Sequence, residues 1–311
     1  MVTAPFAAAT AVLADRLVGE PPARLHPVAA FGRLMTALEK RTYRDDRRAG
    51  VVHLAMGAGI ALVTGMGLRR IWGRAAATLL ATELAVSGRM LARTAREVET
   101  RLVRGDVESG RAVLPALVGR NPAGLDEGEM ARAVVESVAE NTVDAVVAPA
   151  LWAAALGAPG TLLYRAVNTL DSMVGHRSPR YERFGWATAR MDDAMGWIPA
   201  RLTAAAVVAV RPRAAGAVWR AVRLDAAAHP SPNAGVAEAA FAAALGVRLG
   251  GVNRYGERIE ARPRLGDGRP PVPADIEAAV VLATDVGRAV AVALAAVGAG
   301  TTVASLRSRR K

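Results

Sequence analysis

Three stretches of the chain run for about twenty residues without a formal charge: Ala49–Leu68, Ala145–Tyr164 and Ala289–Leu306. A helix crossing the hydrocarbon core of a bilayer needs about that many apolar residues. Two weaker candidates are Ala75–Ser87, interrupted by Glu83, and Ala194–Val210, interrupted by Arg201. Between Arg89 and Glu140 the pattern changes. Leu91, Val98 and Leu102 recur at helical spacing while Arg93, Arg96, Glu97 and Glu99 take the other positions, which predicts amphipathic helices outside the bilayer. A break is expected at Gly119-Arg120-Asn121-Pro122, and Arg262–Pro273, rich in Pro and Gly, reads as a loop before the last helix. Met1–Leu13 is mildly apolar without a basic leader, so it reads as a frayed first membrane helix rather than a cleaved signal. The expected architecture is all-α: a polytopic integral membrane protein with roughly four to six membrane helices. Residues 1–311 form a single membrane-embedded domain, with 89–140 an amphipathic, cytoplasmic helical segment inside it.

One apolar stretch carries a conflict. A single crossing by Ala145–Tyr164 would leave Glu140 and Asn168 on opposite membrane faces, although both ends look functional. Pro149, Gly157, Pro159 and Gly160 interrupt the run, and broken helices persist at membrane depth only where protein or a polar cavity covers them. The expectation is a re-entrant or kinked element that brings both polar ends to one cavity, open to the cytoplasm.

Composition supports the membrane reading. Hydrophobic residues make up 52% and mean hydropathy is +0.21 although 22% of residues are charged, so the charges must be segregated from the apolar runs. The net charge of +12 is carried almost wholly by Arg, since Lys occurs only at 40 and 311. With 4% aromatic residues and Arg clusters flanking apolar runs, the surplus fits positive-inside anchoring better than nucleic-acid binding. The cluster Arg307, Arg309, Arg310, Lys311 argues for a cytoplasmic C-terminus. Without Cys there is no disulfide, thiolate nucleophile or zinc–cysteine site. Without further Lys there is no Walker-type phosphate loop. No nucleophile elbow appears either.

The polar motifs lie beside the apolar runs. On a helix, Glu136, Glu140 and Asp144 share one face at i, i+4, i+8. They are either a solvated face with Arg132 partnering Glu136, or hard oxygen ligands that magnesium would hold together with Asn141. Asn168, Asp171 and Ser172 share a face after Arg165, and a polar face abutting a span normally lines a cavity or the headgroup zone. Arg190-Met191-Asp192-Asp193 puts paired acids before another apolar run. His26-Pro27 and His229-Pro230-Ser231-Pro232-Asn233 lie in two loops; the second reads either as a rigid turn with Asn233 a natural N-cap for the helix holding Glu238, or as a helix N-terminus where a phosphate docks. His53, inside an apolar run, reads as a packed or hydrogen-bonded helix residue.

The strings ESVAENTVDAVVAP, YRAVNTLDSMVG and HPSPNAG, with Asp15–Pro27 and Arg190–Arg201, occur in this order across nearly the whole chain. They resemble the adenosylcobinamide-phosphate synthase family of cobalamin biosynthesis (CobD/CbiB). Departures are mild: Glu20 replaces an Asp, Ala145 a Gly, His176 a Tyr, Gly196 an Asn, and Val236-Ala237 a Trp-Pro pair.

The resemblance implies a multi-pass protein of the bacterial cell membrane that condenses adenosylcobyric acid with aminopropanol or its phosphate, using ATP and Mg2+. Its partners are then the corrinoid, a small amino alcohol and the lipid bilayer, with no nucleic acid; a homo-oligomer is compatible. On residue chemistry, Glu140, Asp144, Asp192 and Asp193 are assigned to the metal. His229, Glu136 and Asp171 are assigned to catalysis, with His229 the base for the attacking amine. Asn141, Arg165, Asn168, Ser172, Arg190 and Asn233 are assigned to substrate, the two Arg to phosphate or carboxylate oxygens. The rival readings are a non-catalytic corrinoid-binding or transport membrane protein and a membrane sensor.

Overall fold

The structure, a computed structural model, describes residues 3–18, 26–119, 121–176, 178–255 and 258–308. The Gly19-Glu20-Pro21-Pro22 motif, Arg120, Arg177 and the basic residues after Ser308 lie outside the described residues. In chain order the helices are α1 (Ala4–Val18), α2 (Pro27–Thr42), α3 (Arg47–Glu83), α4 (Gly88–Val103), α5 (Val107–Val113), α6 (Glu127–Thr142), α7 (Ala148–Leu156), α8 (Ala158–Leu170), α9 (Trp186–Val210), α10 (Ala215–Leu224) and α11 (Ala234–Leu245). A hairpin of β1 (Leu249–Tyr255) and β2 (Arg258–Leu265) precedes α12 (Ala274–Ser308). Among the described residues, three helices are long and apolar enough to cross a membrane, within Arg47–Val103, Trp186–Val210 and Ala274–Thr302. The protein is thus a largely helical membrane protein, and the rest of its apolar sequence forms shorter helices.

The chain divides into two compact units. The first comprises Met1–Ser87, Asp144–Gly196 and Val290–Lys311. Here α3 buries Gly50, His53, Gly57, Ala61 and Gly65 along one stripe, and small residues at three- and four-residue spacing let backbones approach closely. α8 fills that stripe, with the Leu170 side chain against Gly57 and Pro159 against Gly65. His53 is buried, its Nδ1 3.2 Å from the Thr42 hydroxyl and its ring against Phe184, as its place in an apolar run predicted.

The uncharged run Ala145–Tyr164 is two helices, not one. It turns at Gly157, whose φ of 71° lies in the left-handed region open chiefly to glycine. α7 and α8 fold back on each other, with Ala148, Tyr164, Val167 and Met195 forming a buried cluster under Leu54, Trp152 and Leu163. Prolines enable two cross-connections here. A proline lacks the N–H that would bond four residues back. Pro149 thereby frees the Ala145 carbonyl, which accepts from Ser87 N–H at 2.9 Å. Pro199, inside α9, frees the Met195 carbonyl, which accepts from Trp152 Nε1 at 3.2 Å.

The second unit comprises Gly88–Val143 and Trp197–Ala289. α4 is amphipathic as expected, burying Ala95, Val98 and Leu102 and leaving Arg96 to a bidentate pair with Glu277 at 2.7 and 2.8 Å. α6 begins with a capping box: Asp126 accepts from Glu129 N–H, and the Glu129 carboxylate accepts from Asp126 N–H. α11 is buried on all sides and is about 18 Å long, so it is a core helix rather than a span.

The β-hairpin was not expected. Arg262–Leu265, read as loop, are the end of β2, which pairs antiparallel with β1 and buries Leu249 opposite Leu265. β1 is bulged at Gly250, where φ is +79° and a Cβ would overlap the Pro263 carbonyl.

Candidate functional site

Two polar clusters emerge, one in each unit. The first is built on the α7–α8 turn-back. α6 gives way to a five-residue π-helical segment at Val143–Val147, and α8 to another at Asp171–Gly175. Such wider turns re-aim side chains and recur at functional sites. The first turn takes Asp144 off the α-helical phase of Glu136 and Glu140, so the three acids do not form the expected ladder. Asp144 instead meets α8: Tyr164 hydroxyl donates to its Oδ1 at 3.2 Å, and Asn168 Nδ2 donates to its Oδ2 at 3.3 Å. The same Asn168 nitrogen donates to Asp192 Oδ1 on α9 at 3.4 Å. One amide thus spans two carboxylates. Asn168 Oδ1 faces outward to Arg165, 3.5 Å from its guanidinium. Arg165 Nε is buried and has no hydrogen-bond partner among the described residues.

The neighbouring candidates are placed differently. Asp193 pairs with Arg190 at 4.0 Å on the same helix, both side chains at least partly exposed. Ser172 bonds back to the Asn168 carbonyl, and the Asp171 carboxylate lies against Gly175 inside the π turn. Of the four acids assigned to the metal, the structure brings together Asp144 and Asp192. Among the described residues, no group of three or more His, Asp or Glu side chains is arranged to hold a metal ion.

The second cluster surrounds His229. The HPSPNAG loop is closed by Ser231, whose Oγ accepts from the N–H groups of Asn233 and Ala234 at 3.3 and 3.2 Å. Ser231, not Asn233, therefore caps α11. Asn233 makes no cap and accepts from Arg201 at 3.1 Å, a guanidinium that also lies over Trp197. His229 is buried, with Nδ1 3.1 Å from both N and O of Ser231. Its Nε2 sits 3.6 Å from Glu238 Oε1 and 3.4 Å from Arg262. Arg can only donate, so its contact is a hydrogen bond when Nε2 carries the lone pair and Nδ1–H points to Ser231.

A cavity of about 100 Å³ lies in the same unit, lined by Ser137 and by Glu136, Glu140, Glu238 and Arg262. Glu136 is buried there but already bound, its Oε1 accepting from Gly250 N–H at 2.8 Å. Arg132 does not pair with Glu136; it donates to the carbonyls of Gly250 and Val252. Glu136 and Arg132 together strap β1 to α6. Asn141 bonds back to Ser137 on its own helix.

This placement separates a strut from a catalyst. Glu136→Gln keeps an acceptor for Gly250, so both stability and turnover should stay near the parent's. Glu136→Ala leaves that buried N–H unsatisfied and should cost about 1–3 kcal/mol. Thermal unfolding in detergent, with activity measured below the transition, checks both. An inactive but stable Gln variant would return Glu136 to the chemistry.

Four side chains of these clusters were missed: Tyr164, Arg201, Glu238 and Arg262. Two had a visible signal. Glu238 is the single charge in α11, and Arg201 interrupts an otherwise apolar run; a charge isolated within a membrane segment almost always faces protein or a polar cavity.

Comparison with known proteins agrees with this motif set. The family model described as CobD/Cbib protein matches residues 8–283. "Cobalamin biosynthesis protein CobD" of Mycobacterium tuberculosis (strain ATCC 25618 / H37Rv) is 54% identical over 276 residues, covering 87% of this chain and 88% of that one. The protein of the same name from Geobacter metallireducens is 43% identical, covering 85% and 87%, and that from Rhodobacter capsulatus 41% identical, covering 83% and 84%. No solved structure matches. On the extent of these matches, the chain belongs to the CobD/Cbib protein family.

Proposed function

We propose that the chain acts in cobalamin biosynthesis as an amide-forming ligase, joining adenosylcobyric acid to aminopropanol or its phosphate with consumption of ATP. The family and the names of its relatives support the pathway. The observation that carries the chemistry is the pair Asp144 and Asp192 bridged by one Asn168 nitrogen, beside a buried Arg165 Nε with no hydrogen-bond partner among the described residues. Magnesium is usually held by one or two carboxylates plus substrate phosphates rather than by an all-protein cage. A two-carboxylate site fits that, and a phosphate oxygen would give Arg165 Nε an acceptor.

Bound magnesium-ATP would supply the phosphoryl group that turns the unreactive corrinoid carboxylate into an electrophile. The residues then have separate tasks. Asp144 and Asp192 hold the metal, Asn168 fixes their separation, and Arg165 and Arg190 neutralise phosphate or carboxylate oxygens. Forming the C–N bond and breaking the C–O bond to phosphate releases one proton from the amine. That proton is released to solvent. Asp171, in the π-helical turn after α8, remains a candidate for catalysis. The proposal includes the bacterial cell membrane as location and a cytoplasmic C-terminus, supported by the Arg-rich flanks.

The test is product detection. Purified protein receives adenosylcobyric acid, magnesium-ATP and each amine in turn, and mass spectrometry looks for the amide. An ATP-dependent amide with one amine is expected and identifies the substrate. Corrinoid binding without product, beside an active control ligase, would instead assign a binding or transport role.

A further inference from the structure

A cavity in the first unit belongs to neither cluster. It is an open concavity of about 980 Å³ at the start of α3. Five arginines line it: Arg41 from α2, Arg44 from the following loop, Arg47 and Arg48 from the first turn of α3, and Arg183 from the segment before α9. The one acid in the lining, Asp46, is committed to capping α3, its Oδ1 accepting from Ala49 N–H at 2.8 Å. Among the described residues none of the five guanidiniums has an ion-pair or side-chain hydrogen-bond partner. Nearby Arg180, by contrast, is tied to Glu39 and stacked on Tyr43. Arg47 is oriented by stacking over Trp186 at 4.9 Å.

We propose that this concavity is a binding site for a phosphate-bearing anion. Five like charges sharing one hollow repel each other, and an anion with several oxygens relieves that repulsion while using donors that have no other acceptor. Guanidinium is the side chain suited to this, because its planar fork meets two phosphate oxygens at once. The volume exceeds a single phosphate and admits an organic phosphate. The ordinary explanation is topological, since α3 and α9 are both candidate spans and basic flanks orient spans. Orientation needs positive charge alone. It requires neither guanidinium groups nor their convergence from separate segments into one hollow. The proposal is independent of the ligase reaction.

Two sources share this chemistry, a soluble phosphate and a lipid headgroup. The experiment uses the full chain in nanodiscs of neutral phosphatidylcholine, titrated calorimetrically with pyrophosphate. A second arm uses nanodiscs doped with phosphatidylglycerol, with retained lipid counted by native mass spectrometry. Each arm compares the parent with Arg44→Lys/Arg48→Lys/Arg183→Lys and with the corresponding triple Gln variant. The Lys variant keeps the charge that orients the spans, so it decides the matter if the Gln variant fails to fold. Expected is saturable binding in one arm, weakened on the order of tenfold in the Lys variant and lost in the Gln variant. Binding in the pyrophosphate arm marks a soluble ligand, and retention in the lipid arm marks a headgroup. No binding in either arm, or binding unchanged in the Lys variant, overturns the proposal.

Discussion

Asp144→Asn and Asp192→Asn should each lower turnover on the order of a thousandfold, while the purified protein keeps its helical signal and elution volume. A metal held at a transferring phosphoryl group is worth several kcal/mol of transition-state stabilisation, and each 1.36 kcal/mol is a factor of ten. Replacing one of two carboxylates by a neutral amide removes a ligand charge without removing volume. At Asp144 it also sets one amide N–H against another, because Asn168 donates to Oδ2. Tyr164→Phe is the control. It deletes the hydroxyl bond to Asp144 and leaves both carboxylates, at about 0.5–1.5 kcal/mol in stability, so most turnover should remain. Raising magnesium should partly rescue the Asn variants if the loss lies in metal affinity. If both Asn variants keep parental turnover, the two-carboxylate site is wrong.

Gly65→Val should lower the thermal midpoint by roughly 5 °C or more and reduce activity without touching either polar cluster. A Cβ at Gly65 would stand 2.5 Å from Pro159 Cα and 2.7 Å from Pro159 N. Those are backbone atoms of the α7–α8 turn, which cannot swing aside as a side chain would. Overpacking of this kind typically costs about 1–3 kcal/mol. The turn is already fixed by the left-handed Gly157 and carries Asp144 at one end and Asn168 at the other, so displacing it loosens the cluster. Gly67→Val supplies the comparison, because nothing lies within 4 Å of a Cβ there. Equal midpoints for the two variants would show that α8 does not depend on the small-residue stripe of α3.

The turn-back of α7 and α8 was legible because Pro and Gly interrupt an apolar run bounded by polar motifs at both ends, and a straight crossing would have separated them. The register at the near end was misread: Glu136, Glu140 and Asp144 were expected on one helical face, and a π turn after Thr142 breaks the 3.6-residue phase from which side-chain faces are inferred. No local signal marks such a turn. Asn233 misled for a related reason: its capping propensity was real, but Ser231 two residues earlier takes the backbone donors and Arg201 takes the amide. The hairpin escaped notice because LGGVNRY and RIEARPRL lack clean alternation. Part of what holds β1, the strap from Arg132 and Glu136, comes from more than 100 residues earlier in the chain. Glu136, assigned to catalysis, also accepts from a distant backbone N–H, which spacing alone could not reveal.

In the proposed reaction the corrinoid carboxylate is activated by phosphoryl transfer before the amine attacks. It is tested most directly with adenosylcobyric acid labelled with oxygen-18 in its free carboxylate. After incubation with magnesium-ATP and the active amine, the released inorganic phosphate is examined by phosphorus NMR. Expected is the amide product together with phosphate carrying one atom of the label, since the carboxylate oxygen leaves on phosphorus. Amide formed with unlabelled phosphate, or label recovered in AMP, would contradict it.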